Sequence, residues 1–304
     1  MNIIIINPKK DFSDNQIGDL ESVGQITWIE DDNYQDDPAF TNDEEKIVAI
    51  GPEVVGWKFD NDFIDKITNL KSICIPSSGF DWVDGSYLRE KEVTLTNVPK
   101  YSTESVAECA ISMMFNVAKK LPLIIKNGWK LDYDTHQGWE IKGKTMGVIG
   151  LGSIGTRIAE IGQQIGMNVV YWSKNSRDDR FEYLEFDDVL KTSDYIFPTL
   201  LKNNETKNMV NKDRVGLIKN GASIVSITGD ELFDLASVLL RLKEGSLNGL
   251  AIELDDKTIN DFEGNVWVAP HISWFTKEAF DEDIKIWVDN IIAAAKGQPK
   301  DIVN

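Results

Sequence analysis

Met146-Gly147-Val148-Ile149-Gly150-Leu151-Gly152-Ser153-Ile154-Gly155 is the stretch on which the reading of this chain turns. Residues of strand character run straight into glycines at G-x-G-x-x-G spacing, and a helical pattern follows to Gly166. Val169-Val170-Tyr171-Trp172 then reads as the next strand. The glycine pattern alone is a weak signal, but between a strand and a helix in a β-α-β unit it marks a dinucleotide site. Gly150 makes the tight turn, Gly152 lets the backbone approach a pyrophosphate, and Gly155 lets helix and strand pack closely. The pyrophosphate is expected on the N–H groups of a helix N-terminus, with cofactor contacts from Gly150, Leu151, Gly152, Ser153, Ile154 and Gly155. A purely structural glycine turn is the alternative.

The same alternation continues outward in both directions. Upstream, short apolar runs at 3–6, 47–50, 72–76 and 93–98 read as strands, with an amphipathic stretch at 60–67. A long helix capped by Ser102 or Thr103 runs on to Leu121, and its apolar face is wide enough to be buried on both sides. Downstream, 195–197, 223–227, 249–252 and 266–269 read as strands, and 277–295 as a closing helix. Strands alternating with helices predict an α/β fold with parallel sheets and crossover helices, here two Rossmann-like domains.

Composition sets the limits. A chain of 304 residues suits two domains, and 42% hydrophobic with 27% charged residues is an ordinary globular balance. No apolar run reaches the roughly 18 residues that would span a bilayer. Met1-Asn2-Ile3-Ile4-Ile5-Ile6 lacks a basic region and a cleavage site, so it reads as a buried strand rather than a signal peptide. Cys74 and Cys109 make neither metal spacing nor a disulfide framework, so no metal is expected and a cytoplasmic location follows. A net charge of −18 argues against nucleic acid and membrane partners. It also means that an anionic ligand needs local positive charge or a helix N-terminus.

The residues after the second strand of the glycine unit bear on cofactor choice. An acidic side chain there accepts hydrogen bonds from the ribose 2′-OH of NAD. This chain has Ser173-Lys174, with Arg177 three residues on. A hydroxyl beside cations favours a 2′-phosphate, so NADP(H) is expected over NAD(H). The alternative is that Lys174 and Arg177 are exposed loop charges.

Three further stretches resemble the D-isomer-specific 2-hydroxyacid dehydrogenase family. Residues 97–108, Asn-Val-Pro-Lys-Tyr-Ser-Thr-Glu-Ser-Val-Ala-Glu, resemble the start of that family's long interdomain helix. Residues 194–211 resemble its P-x-T-x-x-x-I-N segment, and 265–274 its N-V-x-x-T-P-H-I-A-W segment. Trp274, Ser173-Lys174 and the tail 297–304 are similar to the glyoxylate/hydroxypyruvate reductase branch. The resemblance implies a flavodoxin-like substrate domain from 1–98 plus 275–304 and a dinucleotide-binding domain from 99–274. It implies chemistry in an interdomain cleft and a homodimer, which the apolar helix from Ser105 also suggests. It adds Thr199, Thr206, Ile227, Glu253 and Ser273 as cofactor contacts. The loop with Ser78 and Gly79, together with Lys100, would hold a small anionic substrate.

Reducing a 2-keto acid requires a hydride, a proton for the carbonyl oxygen, and a cation for the carboxylate and carbonyl. The resemblance implies a His, an acid that orients it, and an Arg. His271 fits the proton donor. His136, in a polar stretch, reads as a surface residue. The pattern N-T-A-R-G-G-L-V-D places the Arg on Gly229, followed by Asp230 and Glu231. The pattern G-L-D-V-x-x-x-E places an acid on Glu253, a nicotinamide-contacting position, but puts the orienting Glu on Thr258. Asp255, Asp256 or Asp261 are candidate substitutes, and Arg241 reads as a solvated face. Two readings stay open: an NAD(P)-dependent reductase of a small 2-keto acid such as glyoxylate or hydroxypyruvate, or an impaired NADP-binding relative acting as a sensor or partner protein.

Overall fold

The structure is a computed structural model describing residues 1–31 and 33–304. The chain forms two compact units, Met1–Ser102 with Lys277–Asn304, and Thr103–Thr276. Both are α/β, with parallel sheets of five and seven strands.

The first unit carries β1 (Asn2–Ile6), β2 (Gln25–Ile29), β3 (Lys46–Ile50), β4 (Leu70–Cys74) and β5 (Thr94–Thr96), in the order β2-β1-β3-β4-β5. Every residue of β1 and β3 is buried, which is why central parallel strands read as unbroken apolar runs. The edge strand β2 is mostly half-exposed and mixes Gln25 and Thr27 with apolar residues, so it gives no such run. The stretch 60–67 yields only a single turn of helix, Asn61–Ile64. The closing helix Lys277–Ala295 packs on this sheet through Trp287, fully buried, whose indole N–H donates to the Cys74 carbonyl at 2.9 Å. Asp283 on that helix is buried with Oδ1 lacking a hydrogen-bond partner. Burial, and then the charge of Glu53, push its carboxyl up to about 8.

The second unit carries β6 (Thr145–Ile149), β7 (Asn168–Trp172), β8 (Glu182–Tyr183), β9 (Tyr195–Pro198), β10 (Ser223–Ser226), β11 (Gly249–Glu253) and β12 (Val266–Ala269), in the order β12-β11-β10-β9-β6-β7-β8. The chain leaves β6 toward β7 on one side and returns to β9 on the other. This order makes β6 a topological switch point, and ligands of open parallel sheets bind at the carboxyl ends of strands there. The helix Thr103–Ala118 packs on β10, β11 and β12 and on the helix Ser153–Gln164, leaving only Glu104, Glu108 and Ser112 exposed. Its wide apolar face is largely buried inside its own unit.

Two side chains depart from the sequence reading. His136 is buried, and its Nδ1 accepts the Asp132 N–H at 3.1 Å. The polar stretch around it folds back on itself, which its composition does not reveal. Arg241 is not a solvated face either. Its guanidinium donates to the carbonyls of Val215 and Ile218 at 2.7 and 2.8 Å, and to Asn220 Oδ1 at 2.8 Å. It thereby satisfies the carbonyls at the end of the helix Lys212–Leu217, a contact between helices that one helix's own periodicity cannot show.

Candidate active site

At the switch point the glycine loop joins β6 to the helix Ser153–Gln164. Gly150 sits at φ +105°, a conformation that L side chains rarely adopt. A Cβ on Gly155 would lie 2.0 Å from the Gly150 carbonyl oxygen and 2.6 Å from Thr199 Oγ1, so no larger residue fits. A Cβ on Gly152 would meet nothing within 4 Å, which leaves open room over the turn for a ligand. Gly152 is also the N-cap of the 12-residue helix Ser153–Gln164, and no side chain caps it. That N-terminus offers N–H groups and positive potential to a phosphate. Leu151 is buried below the turn, and Ile154 packs against the core. Thr199, at the end of β9, donates its hydroxyl to the Gly150 carbonyl at 2.6 Å and its N–H to Ile149 at 2.8 Å, locking the two strand ends together. These residues fit a dinucleotide pyrophosphate.

Beyond β7, Ser173 is buried and its Oγ accepts the Ser176 N–H at 3.2 Å. Arg177 donates to the carbonyls of Ser173 and Ser176, both at 2.8 Å, and its guanidinium lies over the Tyr183 ring at 4.0 Å. Lys174 is exposed and pairs with Glu205 at 2.7 Å. Glu205 belongs to the loop that Thr206 organises, the Thr206 hydroxyl donating to Leu201 O at 2.6 Å. An acid from a different loop thus stands beside Lys174.

The second cluster lies at the ends of β10, β11 and β12. Glu253, the last residue of β11, is almost fully buried. Its Oε1 accepts the N–H groups of Ile272 and Ser273 at 3.2 and 2.9 Å, and its Oε2 accepts the Ser273 hydroxyl at 3.2 Å. Oε2 also lies 3.3 Å from His271 Nδ1. Asp255 Oδ1 accepts the His271 N–H at 2.9 Å, and its Oδ2 stands 3.8 Å from Nε2. The Glu253 hydrogen bond, ahead of the charge of Asp255, raises the His271 pKa above the ordinary histidine value against the opposing effects of burial and Lys202.

The other candidate acids are placed elsewhere. Thr258 caps the short turn Ile259–Asp261, and Asp261 accepts the Thr258 N–H at 2.6 Å, so both are committed to that turn. Asp256 is exposed. Ile227 and Gly229 follow β10. Gly229 is buried at φ +71°, and its carbonyl accepts the Ser226 hydroxyl at 2.7 Å. What sequence reading missed is Glu253 as the hydrogen-bond partner of the imidazole. Glu253 is one methylene longer than the Asp of the G-L-D-V pattern, and that length was the available signal.

In the first unit, Ser78 and Gly79 sit on an exposed loop pinned from both sides. Ser78 Oγ donates to Val98 O at 2.9 Å, Ser77 Oγ to Gly79 O at 2.7 Å, and Asn97 to Ser78 O at 2.8 Å. Lys100 adopts φ +64°. A concavity of about 720 Å³ on the same unit, lined by Trp57, Trp82, Asp84 and Arg89, contains none of these residues. The chemistry of the His271 cluster outweighs that concavity's size.

A glycine cradle at the switch point of a parallel sheet, with an imidazole–carboxylate pair at the same sheet's carboxyl edge, defines an NAD(P)-binding α/β protein. Residues 111–273, more than half of the chain, match the D-isomer specific 2-hydroxyacid dehydrogenase, NAD binding domain. The chain belongs to that family. It is similar to a Staphylococcus aureus (strain USA300) protein classed with the 2-hydroxyacid dehydrogenases, at 29% identity over 269 residues, 81% of this chain and 82% of the relative. Its fold is similar to an acyclic imino acid reductase (Bsp5) in complex with NADPH and D-Arg, with a TM-score of 0.83, 22% identity and 100% of both chains covered. It is also similar to a glyoxylate reductase from Paecilomyes thermophila, with a TM-score of 0.85, 20% identity, and 100% of this chain and 98% of that one covered. No helix among the described residues is long and apolar enough to cross a membrane.

Proposed function

We propose that the protein is an NADP(H)-preferring reductase of a small 2-keto acid of the glyoxylate or hydroxypyruvate kind. The observation that carries this reading is the His271–Glu253 pair, 3.3 Å apart, at the carboxyl edge of the sheet that holds the glycine cradle. The fold shared with a glyoxylate reductase and with an NADPH-bound reductase supports it.

This reading assigns the following roles. Gly150, Leu151, Gly152, Ser153, Ile154 and Gly155 cradle the pyrophosphate, with Thr199 and Thr206 fixing the neighbouring loops. Ser173, Lys174 and Arg177 receive the 2′-phosphate, for which Lys174 exchanges Glu205. Ile227, Glu253 and Ser273 line the nicotinamide end. NADPH, when bound, supplies the hydride that the keto carbon accepts. His271, held at Nδ1 by Glu253, gives the carbonyl oxygen its proton from Nε2, and the product is the 2-hydroxy acid. The raised pKa keeps the imidazole charged over a wider pH range, which suits a proton donor. By family resemblance the first unit is the substrate domain, and its Ser78–Gly79 loop and Lys100 are its candidate anion contacts. The homodimer is carried over from the family resemblance.

The test is NADPH consumption with a panel of 2-keto acids. Turnover with glyoxylate or hydroxypyruvate, faster with NADPH than with NADH, is the expected result. A second reading is favoured by Gly229 at the Arg position: a cofactor-binding protein without turnover. It would be established by tight NADPH binding with no consumption across the panel.

A further inference from the structure

The Arg position of this family is a glycine here, yet the space beside it is not without charge. A Cβ added to Gly229 would lie 3.6 Å from Lys202 Nζ and 3.7 Å from the Glu253 carbonyl oxygen. Lys202 comes from the loop after β9, and Gly229 from the loop after β10. These strands are hydrogen-bonded neighbours, so the loops leave the sheet edge side by side. The backbone at Gly229 is left-handed, which disfavours a side chain there, and the lysine reaches over it.

We propose that Lys202 is the cation of this active site, binding the carboxylate and polarising the carbonyl of the 2-keto acid in place of the missing arginine. The proposal rests on the reductase reading above. Three observations support it. The ammonium lies 3.6 Å from where a Cβ at residue 229 would stand, in ordinary contact with the start of the missing side chain. Its charge is felt at His271, where it opposes protonation, so the two groups share one electrostatic environment. Its present partner, Glu231 at 3.4 Å, is exchangeable, since the side chains are 39% and 52% exposed. Exposed pairs of this kind contribute little, so a substrate carboxylate can replace Glu231 without a large penalty. An ammonium is a compact charge on a flexible stem rather than a rigid fork, so it grips a carboxylate with less geometric selectivity than a guanidinium. This predicts a site tolerant of several small 2-keto acids.

The experiment measures oxamate, a non-reducible 2-oxo acid mimic, binding to the NADPH-loaded protein. Lys202→Met should weaken oxamate by about 10- to 100-fold, the usual loss of a hydrogen bond to a charged group. NADPH affinity should be unchanged, which also shows that the variant is folded. Lys202→Arg should retain binding within about threefold, and Glu231→Gln should tighten it by removing the competitor. The proposal is overturned if oxamate binds Lys202→Met as tightly as native protein, or if the native NADPH-loaded protein does not bind oxamate. The two readings fail separately. Lys202-dependent oxamate binding without turnover of any 2-keto acid would remove the reductase reading and leave the cation site standing. Turnover that survives Lys202→Met with oxamate unaffected would do the reverse.

Discussion

The glycine cradle and the histidine cluster lie at the carboxyl ends of strands in one sheet, but they treat their sequence patterns differently. The cradle keeps every glycine, because its function is steric. At Gly155 a Cβ would sit 2.0 Å from a backbone oxygen, and no neighbouring residue can compensate for that. The histidine cluster keeps His271 and loses both named partners, because an electrostatic role is defined by where a charge sits and not by which residue carries it. Glu253 reaches the imidazole from the end of β11, and Lys202 stands over Gly229. Sites made of backbone shape are read faithfully from motifs, whereas sites made of charge can be rebuilt from adjacent loops.

The comparison can be broken at either end. The largest effect is expected at His271. His271→Asn should lower kcat/KM for keto-acid reduction by about 100- to 10,000-fold, with NADPH binding retained, as measured by initial rates and fluorescence titration. A fall of less than tenfold would remove the imidazole from the chemistry. At the other end, Gly155→Ala should weaken NADPH by at least about tenfold and lower the melting temperature, since overpacking typically costs about 1–3 kcal/mol. If Gly155→Ala binds NADPH normally, the cradle is not constrained as described.

Cofactor choice is a smaller matter. Ser173→Asp places a carboxylate where a 2′-phosphate is expected, and the ratio of NADPH to NADH affinity should fall by about tenfold, or 1.4 kcal/mol. An unchanged ratio in paired titrations would mean that the 2′-phosphate is recognised elsewhere.

The smallest effect lies outside both regions and has to be separated from them. Asp283 in the first unit holds its proton up to about 8, far above the usual carboxylate range. The folded state therefore binds more protons than the unfolded chain between roughly pH 4 and 8, so stability falls as pH rises across that window. Asp283→Asn should flatten this slope and raise the melting temperature at pH 8 by a few degrees. A variant with the native slope would remove Asp283 as its source.

Much of the fold was legible because parallel central strands are buried on both faces and read as apolar runs. The strand β2 escaped because an edge strand is half solvated and carries Gln25 and Thr27. The cradle was legible because G-x-G-x-x-G has a fixed local geometry. Glu253 was visible as an acid, but its contact with His271 depends on register between β11 and the segment after β12, which sequence does not report. Lys202 gave no signal at all, since it sits in a polar loop 27 positions before the glycine it covers. Arg241 and His136 were misread for the same reason: their partners come from structure that one element's periodicity cannot reveal.

The central claim is that Glu253 has taken over the imidazole, and the protein's two histidines make it directly measurable. Imidazole resonances can be followed by NMR across pH in native protein and in Glu253→Gln, with His271→Asn assigning the signals. The Glu253 hydrogen bond is the largest contribution raising the His271 pKa, so native His271 should titrate above the ordinary histidine value. In Glu253→Gln the midpoint should move down, because the largest contribution favouring the charged form is removed. The pH above which keto-acid reduction declines should move down with it. Native and variant midpoints that coincide near 6.5 would contradict the account and return the orienting role to another acid.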